Sequence, residues 1–460
     1  MTVSSHLFVK AMKSISRMPS AWVLLSAMAL AACAPTSDDD TPSVNADFQL
    51  SMSGQTTTLV EGDPQGLRLP LSLSRRNDHS RAVKLSISGR TQSDIDSLTS
   101  SISTATLFPG ESSSEVTLKL AISAAPIQTQ QRDFIISASD GSDTVSLPVS
   151  ISVQPTDAPD VYLLAGQSNM VGFSGDGTRQ SEPGGADAPD ERIKQLNVAK
   201  NDPYEVFVSA SDFTSPSTNI VAPDIVTALD PLHVPLARES DHTKDEEYIG
   251  LGLSFAKRAL QDTSARIVLV PAAWSGSSFC KNDNGPNGNW VAAPAQNTNL
   301  GNSLLFERAV LRANLALEKS GGVLRGILWH QGESDSNEVC APLYAQNVKT
   351  LVEQFRQRIN PLGDGNLLRN EVTIPFVLGT MSRGRDANDD VSEFSEAKQI
   401  IDNAHRNLPN VVEGVALSNH DDLVPSNGFP CGNGCVHFGP SALREMGMRY
   451  YDALSRTLSP

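Results

Sequence analysis

The chain has 460 residues and a formal net charge of −16, from 52 acidic and 36 basic side chains. This length exceeds what one hydrophobic core usually organises, so it allows two or three domains. The acidic balance, without clusters of Lys and Arg, excludes the phosphate-binding surfaces on which nucleic-acid recognition depends.

The first segment of the chain is typical of an export signal. Three basic side chains precede an apolar stretch at residues 21–32, which is too short to span a bilayer. The stretch ends in Leu-Ala-Ala-Cys, which resembles the lipobox of bacterial lipoproteins. We therefore expect cleavage after residue 32, a mature net charge of −19, and a lipid on Cys33. Residues 33–45 then form an acidic tether, and Ala34 favours the outer membrane of the cell envelope.

The next segment, residues 46–154, has the pattern of short β-strands. Runs such as residues 115–120 and 143–149 alternate apolar and polar side chains, and turn signals such as Asp140-Gly141 separate them. This pattern predicts an all-β sandwich similar to immunoglobulin-like modules. The segment has no cluster of catalytic residue types, and both a sugar-binding and a spacing role stay open.

From residue 155 to residue 460 the pattern changes to α/β. After a linker at residues 155–159, strand-like runs alternate with helix-like runs, which predicts a parallel sheet flanked by helices. The predicted strands are residues 161–165, 266–271, 324–329, 374–379 and 411–417. The predicted helices are residues 252–261, 303–319, 342–359, 393–406 and 441–458. Two segments rich in Gly, Asn, Asp and Pro are expected to form the walls of a cleft: residues 172–248 and 277–300.

The turn Gly166-Gln167-Ser168-Asn169-Met170 follows the first of these strands. A glycine at this point permits a sharp turn at the carboxyl edge of the sheet, where open α/β folds bind their ligands. Ser168 is therefore placed like a nucleophile. A serine hydroxyl is unreactive by itself at neutral pH, so it needs a base and hydrogen-bond donors for an oxyanion.

Candidates for these partners follow other predicted strands. Trp-His-Gln-Gly-Glu-Ser-Asp occupies residues 329–335, and a loop of small residues, Ala-Trp-Ser-Gly-Ser-Ser, occupies residues 273–278. Val-His-Phe, at residues 436–438, precedes the last predicted helix. We expect His330 to be a packed histidine, while Trp274 and Trp290 are candidates for a sugar platform.

Together these motifs resemble the SGNH hydrolase superfamily, and within it the sialate O-acetylesterase-like and family-6 carbohydrate esterases. The resemblance covers roughly residues 160–458. It implies a three-layer α/β fold and deacetylation of sugars without a metal or other cofactor. By this resemblance Ser168 is the nucleophile and His437 the general base. The implied oxyanion donors are the backbone N–H groups of Ser168 and Gly276 and the side chain of Gln331.

The sequence departs from that family pattern three residues before His437. An aspartate is usual there, and this chain has Gly434. Glu333 is the first candidate to orient the histidine in its place. Two alternatives stay open: a backbone carbonyl of residues 431–435, or one of the carboxylates of Asp335, Asp421 and Asp422.

Besides Cys33 the chain has four cysteines, an even number in a protein bound for an oxidising compartment. Of three possible connectivities we favour Cys431–Cys435 together with Cys280–Cys340, although sequence does not settle the pairing. A metal site of Cys431, Cys435 and His437 would lack a fourth ligand at zinc-like spacing.

The sequence thus predicts a lipid-anchored carbohydrate O-acetylesterase whose partners are an acetylated carbohydrate and, through Cys33, the membrane. Two other functions remain open. One is a surface glycan-binding lipoprotein whose catalysis is weakened, suggested by the missing aspartate. The other is a lipid or thioester hydrolase of the same superfamily.

Overall fold

The structure is a computed structural model, and it describes the chain from residue 46 to residue 457 with gaps. The described ranges are 46–54, 57–89, 98–122, 128–172, 184–197, 224–233, 249–280, 289–292, 305–363, 367–368, 373–384, 393–423 and 436–457. The predicted signal segment, the acidic tether with Cys33, and the loop at residues 431–435 lie outside these ranges.

The first part of the described chain is a two-sheet unit that spans residues 48–154. Its strands are β1 (Phe48–Met52), β2 (Thr58–Val60), β3 (Leu67–Arg75), β4 (Val83–Gly89), β5 (Thr99–Ile102), β6 (Thr106–Leu107), β7 (Ser113–Lys119), β8 (Gln130–Ser139) and β9 (Thr144–Gln154). One sheet has the order β1-β3-β7-β5 and the other β2-β9-β8-β4-β6. Along β3 every second side chain is buried, because successive side chains of a strand point to opposite faces. The inward side chains of both sheets form one apolar cluster, with Phe48, Val116 and Ile136 among them.

The second part is an α/β unit built on one seven-stranded sheet. Its strands are β10 (Asp160–Gly166), β11 (Ile193–Leu196), β12 (Ile225–Thr227), β13 (Ile267–Ala273), β14 (Val323–His330), β15 (Phe376–Gly379) and β16 (Val415–Ser418). Their order is β12-β11-β13-β10-β14-β15-β16. Strand β12 runs antiparallel to β11, and the other pairs are parallel. All seven residues of β10 are buried, as expected for the central strand of a sheet covered on both faces.

Helices cover both faces of this sheet. They are α1 (Ser168–Val171), α2 (Gly252–Ala259), α3 (Leu305–Ser320), α4 (Ala341–Arg358), α5 (Glu396–Val411) and α6 (Pro440–Arg456). One apolar cluster joins α2 and α6 to side chains such as Tyr162 and Leu164. A second cluster joins α3, α4 and α5 to alternate side chains of the same strand, such as Val161 and Leu163. The unit therefore has three layers.

The predicted α/β organisation is confirmed, with local corrections. Strands β11 and β12 lie inside residues 172–248, which were predicted as insertion only. They are short edge strands of four and three residues, and polar side chains such as Lys194 interrupt the apolar run that sequence patterns detect. Helix α5 continues to Val411, a residue that the apolar pattern had assigned to the last strand. The immunoglobulin-like class of the two-sheet unit stays a prediction.

The two-sheet unit docks at the amino edge of the α/β sheet. Arg325 of β14 donates to Asp160 at 2.7 Å and to both oxygens of Glu61 at 3.2 and 3.1 Å. All three side chains are at most 1% exposed. Backbone hydrogen bonds from Ile122 N to Leu368 O and from Leu368 N to Gly62 O join the same surfaces. The carboxyl edge, where ligands bind in such folds, lies at the other end of these strands.

Within the described ranges, none of the helices combines the length and the apolar character that crossing a bilayer requires.

Candidate active site

Strand β10 delivers Ser168 to the carboxyl edge of the sheet. The strand ends at Gly166, whose φ is 139°. A Cβ at this position would overlap the carbonyl oxygen of His330 on the neighbouring strand, so only glycine fits. The chain then turns, with Gln167 N donating to that same carbonyl at 2.8 Å, and helix α1 begins at Ser168.

His437 meets Ser168 from a position 269 residues further along the chain, and its Nε2 lies 2.9 Å from Ser168 Oγ. Ser168 is buried, with 6% of its surface exposed. Next to His437, Phe438 is completely buried and packs edge-on against the ring of His330. With the hydrogen of the imidazole on Nδ1, Nε2 can accept the hydroxyl proton directly.

The surroundings of His437 keep its imidazole neutral. Burial lowers its pKa below the usual value of 6.5, and the negative charge of Glu333 opposes this only partly. A histidine with a lowered pKa is unprotonated at neutral pH, which is the form that accepts a proton.

Asn169 links three parts of the site. Its side chain is completely buried. Its Nδ2 donates to Glu333 Oε1 at 2.7 Å and to the carbonyl of Val436 at 2.8 Å, and its Oδ1 accepts from the backbone N–H of Phe438 at 3.1 Å. Sequence reasoning assigned Asn169 no role, although it lies within the motif that contains Ser168.

Glu333 is a buried carboxylate beside the Ser168–His437 pair. Its side chain is 5% exposed, and its Oε1 lies 3.7 Å from His330 Nε2, which is an ion-pair distance rather than a hydrogen bond. Burial raises its pKa, but its interactions with His330, with its own backbone N–H and with the charge of Lys398 together outweigh this effect, and the pKa falls to about 2. Glu333 is therefore ionised at neutral pH, its charge raises the pKa of His437, and it accepts a hydrogen bond from Asn169.

The alternative aspartates are bonded to other groups. Asp421 accepts from Arg406 at 2.7 Å, and Asp422 accepts from Arg449 at 2.9 Å. Asp335 accepts from the backbone N–H of Phe279 at 3.0 Å. The structure shows these carboxylates in other interactions, and the choice of the group that orients His437 stays a prediction.

The loop that contains Gly276 lies beside the Ser168 turn. Trp274 N donates to Gly166 O at 3.0 Å, which ties the start of the loop to the end of β10. Gly276 has a φ of 69°. Ser277 closes the loop, because its Oγ donates to Trp274 O at 2.6 Å and accepts from Trp290 Nε1 at 2.8 Å. The predicted oxyanion donors Ser168 N and Gly276 N thus belong to two adjoining turns.

Gln331 is completely buried and binds the backbone of the Gly276 loop. Its Nε2 donates to Ser277 O at 3.1 Å and to Asp335 Oδ2 at 2.6 Å, so both amide hydrogens are engaged with protein acceptors. A role as oxyanion donor stays a prediction for Gln331, and it requires the bond to Ser277 to be exchanged for one to the substrate.

Asp335 and a disulfide anchor the far end of the same loop. Asp335 accepts from the backbone N–H groups of Phe279 and Cys280, and burial raises its pKa to about 6. The predicted Cys280–Cys340 disulfide is confirmed. Asp335 and these two cysteines are the group with metal-ligand atoms found among the described residues, but the cysteines are bonded to each other and offer no thiolate.

His330 and the tryptophans are packing residues. His330 is completely buried, with Nδ1 2.9 Å from Tyr450 OH, and that hydroxyl donates to Trp329 O at 2.7 Å. The prediction for His330 is confirmed. Trp274 and Trp290 are at most 1% exposed, so the prediction of a sugar platform is wrong for these two side chains, and Trp329 is likewise buried.

The chain is similar to several carbohydrate esterases. A probable carbohydrate esterase of Arabidopsis thaliana is 28% identical over 204 residues, which are 44% of this chain and 64% of that protein. The chain thus spans less than two thirds of the length of that relative. Among solved structures, a carbohydrate acetylesterase from Xanthomonas citri is 17% identical with a TM-score of 0.43, over 87% of this chain and 72% of that one. NanS is 20% identical with a TM-score of 0.43, over 65% of this chain and 97% of its own.

A family model described as carbohydrate esterase, sialic acid-specific acetylesterase, matches residues 158–456. The match covers more than half of the chain and includes Ser168, the Gly276 loop, Glu333 and His437. The resemblance predicted from the motifs is confirmed: the chain belongs to the carbohydrate esterase, sialic acid-specific acetylesterase family, which is a family of carboxylic ester hydrolases.

Proposed function

We propose that this protein is a serine esterase that removes O-acetyl groups from carbohydrates through an acetyl-enzyme intermediate. The observation that carries the proposal is the 2.9 Å distance between Ser168 Oγ and His437 Nε2. Family membership supports an acetylated sugar as the substrate class. Acetylated polysaccharides and sialic-acid-type sugars both belong to this class.

In the first half of the reaction, His437 Nε2 takes the proton of Ser168 as Oγ attacks the acetyl carbonyl carbon. The carbonyl oxygen becomes an oxyanion, for which we assign Ser168 N, Gly276 N and Gln331 Nε2 as donors. Each well-aimed donor lowers the barrier by about 2.7–4 kcal/mol. The imidazolium then protonates the sugar oxygen, the sugar alcohol leaves, and the acetyl group stays on Ser168.

In the second half, water replaces the sugar. His437 Nε2 takes a proton from the water, the hydroxide attacks the acetyl carbon, and a second oxyanion forms at the same donors. The imidazolium returns its proton to Ser168 Oγ as the acetyl–oxygen bond breaks, which releases acetate. Glu333 stays ionised throughout and stabilises the imidazolium that forms twice in each cycle.

The test of this proposal is acetate release by the wild-type protein and by Ser168→Ala. Acetylated xylan, O-acetylated sialic acids and p-nitrophenyl acetate serve as substrates. We expect Ser168→Ala to lower kcat by about 10⁴-fold or more, since the nucleophile is lost. The matched control, Ser137→Ala on β8, should retain full activity. Activity retained by Ser168→Ala would disprove the serine mechanism.

The same assays separate the two alternative functions. A glycan-binding lipoprotein with weakened catalysis would bind acetylated sugars without releasing acetate. A lipid or thioester hydrolase would turn over long acyl p-nitrophenyl esters faster than the acetyl ester. Either result would replace the proposed function.

The location of the enzyme is part of the proposal. The lipid on Cys33 holds the protein at the cell envelope, with the outer membrane as the favoured site. We assign the two-sheet unit to the immunoglobulin-like sandwiches. Its role is to space the esterase from this anchor, and its docking at the amino edge, away from the site, supports that role. Cell fractionation tests the anchor: Cys33→Ser should move the protein from the membrane to the soluble fraction, and unchanged membrane association would contradict it.

A further inference from the structure

We infer that Asn169 is a positioning residue for the reacting pair: it holds the backbone on both sides of His437 and keeps the imidazole against Ser168. The inference rests on the proposed function of Ser168 and His437. It assigns the restraint on the histidine to a neutral amide next to the nucleophile, in a chain where position 434 is glycine.

The geometry of this clamp uses one side chain and two backbone groups. Val436 O, on one side of His437, accepts from Asn169 Nδ2 at 2.8 Å, while Phe438 N, on the other side, donates to Asn169 Oδ1 at 3.1 Å. Because both neighbours are held, rotation of the His437 backbone would break at least one hydrogen bond. Asn169 is completely buried, so water does not compete for these bonds.

The amide is the group that this position requires. It must donate to a carbonyl and to Glu333, and it must also accept from a backbone N–H. A carboxylate at residue 169 could accept from Phe438 but would face the oxygens of Val436 and Glu333 without a hydrogen to donate. An apolar side chain would leave buried polar groups unsatisfied, at a cost of about 1–3 kcal/mol each.

The position of Asn169 in the chain couples the two reacting groups. Residues 168 and 169 are consecutive in helix α1, so the turn that sets Ser168 also sets the clamp on His437. The second Nδ2 hydrogen bond fixes the carboxylate whose charge raises the pKa of His437. One turn of chain thus places the nucleophile, restrains the base and orients the charge that stabilises its protonated form.

The structure offers a matched control for this geometry. Asn314 makes the same clamp at a site remote from Ser168: its Nδ2 donates to Arg358 O at 3.2 Å and its Oδ1 accepts from Asn360 N at 2.9 Å. Asn314→Ala therefore removes the same pair of backbone bonds without touching the proposed reacting groups. Its effect on thermal unfolding serves as the reference for losing such a clamp, although Asn314 is more exposed.

The experiment compares Asn169→Ala and Asn169→Asp with Asn314→Ala, using p-nitrophenyl acetate. We expect Asn169→Ala to lower kcat by about 100-fold, because a small misplacement of a reacting group has an effect of this size. The low-pH limb of the rate should move to higher pH, since a released imidazole loses the burial that lowers its pKa. Asn314→Ala should leave kcat and the pH profile unchanged.

A double-variant comparison separates positioning from general damage to the fold. If Asn169 acts through His437, then Asn169→Ala together with His437→Ala should be no slower than His437→Ala alone. The inference would be overturned if the kcat of the double variant fell by the product of the two single reductions. An unchanged pH profile in Asn169→Ala would also overturn it. Circular dichroism and thermal unfolding show whether each variant is folded. If Asn169→Ala does not fold, Asn169→Asp, which keeps the shape of the side chain, carries the same comparison.

The labelling rate of Ser168 by a fluorophosphonate probe distinguishes this inference from the proposed function. The probe reports the reactivity of the Ser168–His437 pair without an acetylated sugar. A wild-type protein that is neither labelled nor active on acetyl esters would disprove the proposed function. If Asn169→Ala is labelled as fast as the wild-type protein, the role of Asn169 is disproved while the proposed function stands.

Discussion

The two edges of the α/β sheet are held together by different chemistry. At the carboxyl edge, the neutral amides of Asn169 and Gln331 bind the backbone beside His437 and the backbone of the loop that contains Gly276. At the amino edge, a buried guanidinium lies between two carboxylates and joins the two-sheet unit to the sheet. Hydrogen bonds from amides orient groups without adding charge to a site where charge develops during the reaction. The buried ion cluster at the amino edge penalises separation of the two units, because separation would leave buried charges without their partners.

The largest effect on stability that we predict comes from Arg325→Met at the amino edge. This change leaves Glu61 and Asp160 buried without their guanidinium partner, and breaking such a cluster costs about 3–5 kcal/mol. Chemical denaturation measures the loss, while kcat of the folded protein should stay unchanged. Arg449→Met is the matched control, since its partners Asp422 and Glu445 are partly exposed and such pairs contribute at most about 1 kcal/mol. Equal losses of unfolding free energy in the two variants would contradict the conclusion that the buried cluster contributes more stability than exposed ion pairs.

A smaller loss of stability is expected from Cys280→Ser at the carboxyl edge. The disulfide closes a sequence separation of 60 residues, and its removal costs about 2–4 kcal/mol. Because a single bond is lost, Cys340→Ser and the double variant should unfold at the same temperature as Cys280→Ser. Activity should change little, since Asp335 still holds the backbone of Phe279 and Cys280. A large fall in kcat would show that the covalent bond positions the loop.

The smallest effect concerns the charge beside the histidine. Glu333→Gln keeps an oxygen that accepts from Asn169 and removes only the negative charge, which is present over the whole range in which His437 titrates because the pKa of Glu333 is about 2. Losing this charge lowers the pKa of His437 further. We expect kcat to fall about tenfold, which corresponds to about 1.4 kcal/mol.

The direction of the pH effect tests the role of Glu333 in particular. Activity requires neutral His437, so the low-pH limb of the rate should move to lower pH in Glu333→Gln, opposite to the shift expected for Asn169→Ala. Glu338→Gln, an exposed carboxylate in the following segment, is the matched control. A limb that moves to higher pH in Glu333→Gln would contradict the electrostatic role.

Much of the α/β unit could be predicted because its signals are local. Five strands and five helices follow from apolar runs and from helical spacing, since buried strands exclude polar side chains over four to eight residues. The short edge strands β11 and β12 were not predicted. Their structure depends on pairing, of β11 with β13 and of β12 with β11, and not on their own composition. The local pattern also ended helix α5 at residue 406, whereas this helix continues to Val411.

For the site, the sequence motifs predicted which side chains take part but not the hydrogen bonds between them. Ser168 and His437 were predicted as partners, and they lie 2.9 Å apart. The contacts of Asn169, the engagement of the Gln331 amide and the pairing of Asp421 with Arg406 were not foreseen. Hydrogen bonds of this kind depend on distances of a few tenths of an ångström between distant segments, and residue spacing carries no such information.

The sequence by itself determined the turn at Gly166, the residues that we propose as nucleophile and base, and the family to which the chain belongs, because each depends on residue type within a short motif. The tertiary structure decided which backbone groups Asn169 contacts beside His437 and how the two-sheet unit is attached. Both results come from residues that are far apart in the chain and that meet only in the folded protein. Asn169 meets Phe438 at the carboxyl edge of the sheet, and Glu61 meets Arg325 at its amino edge.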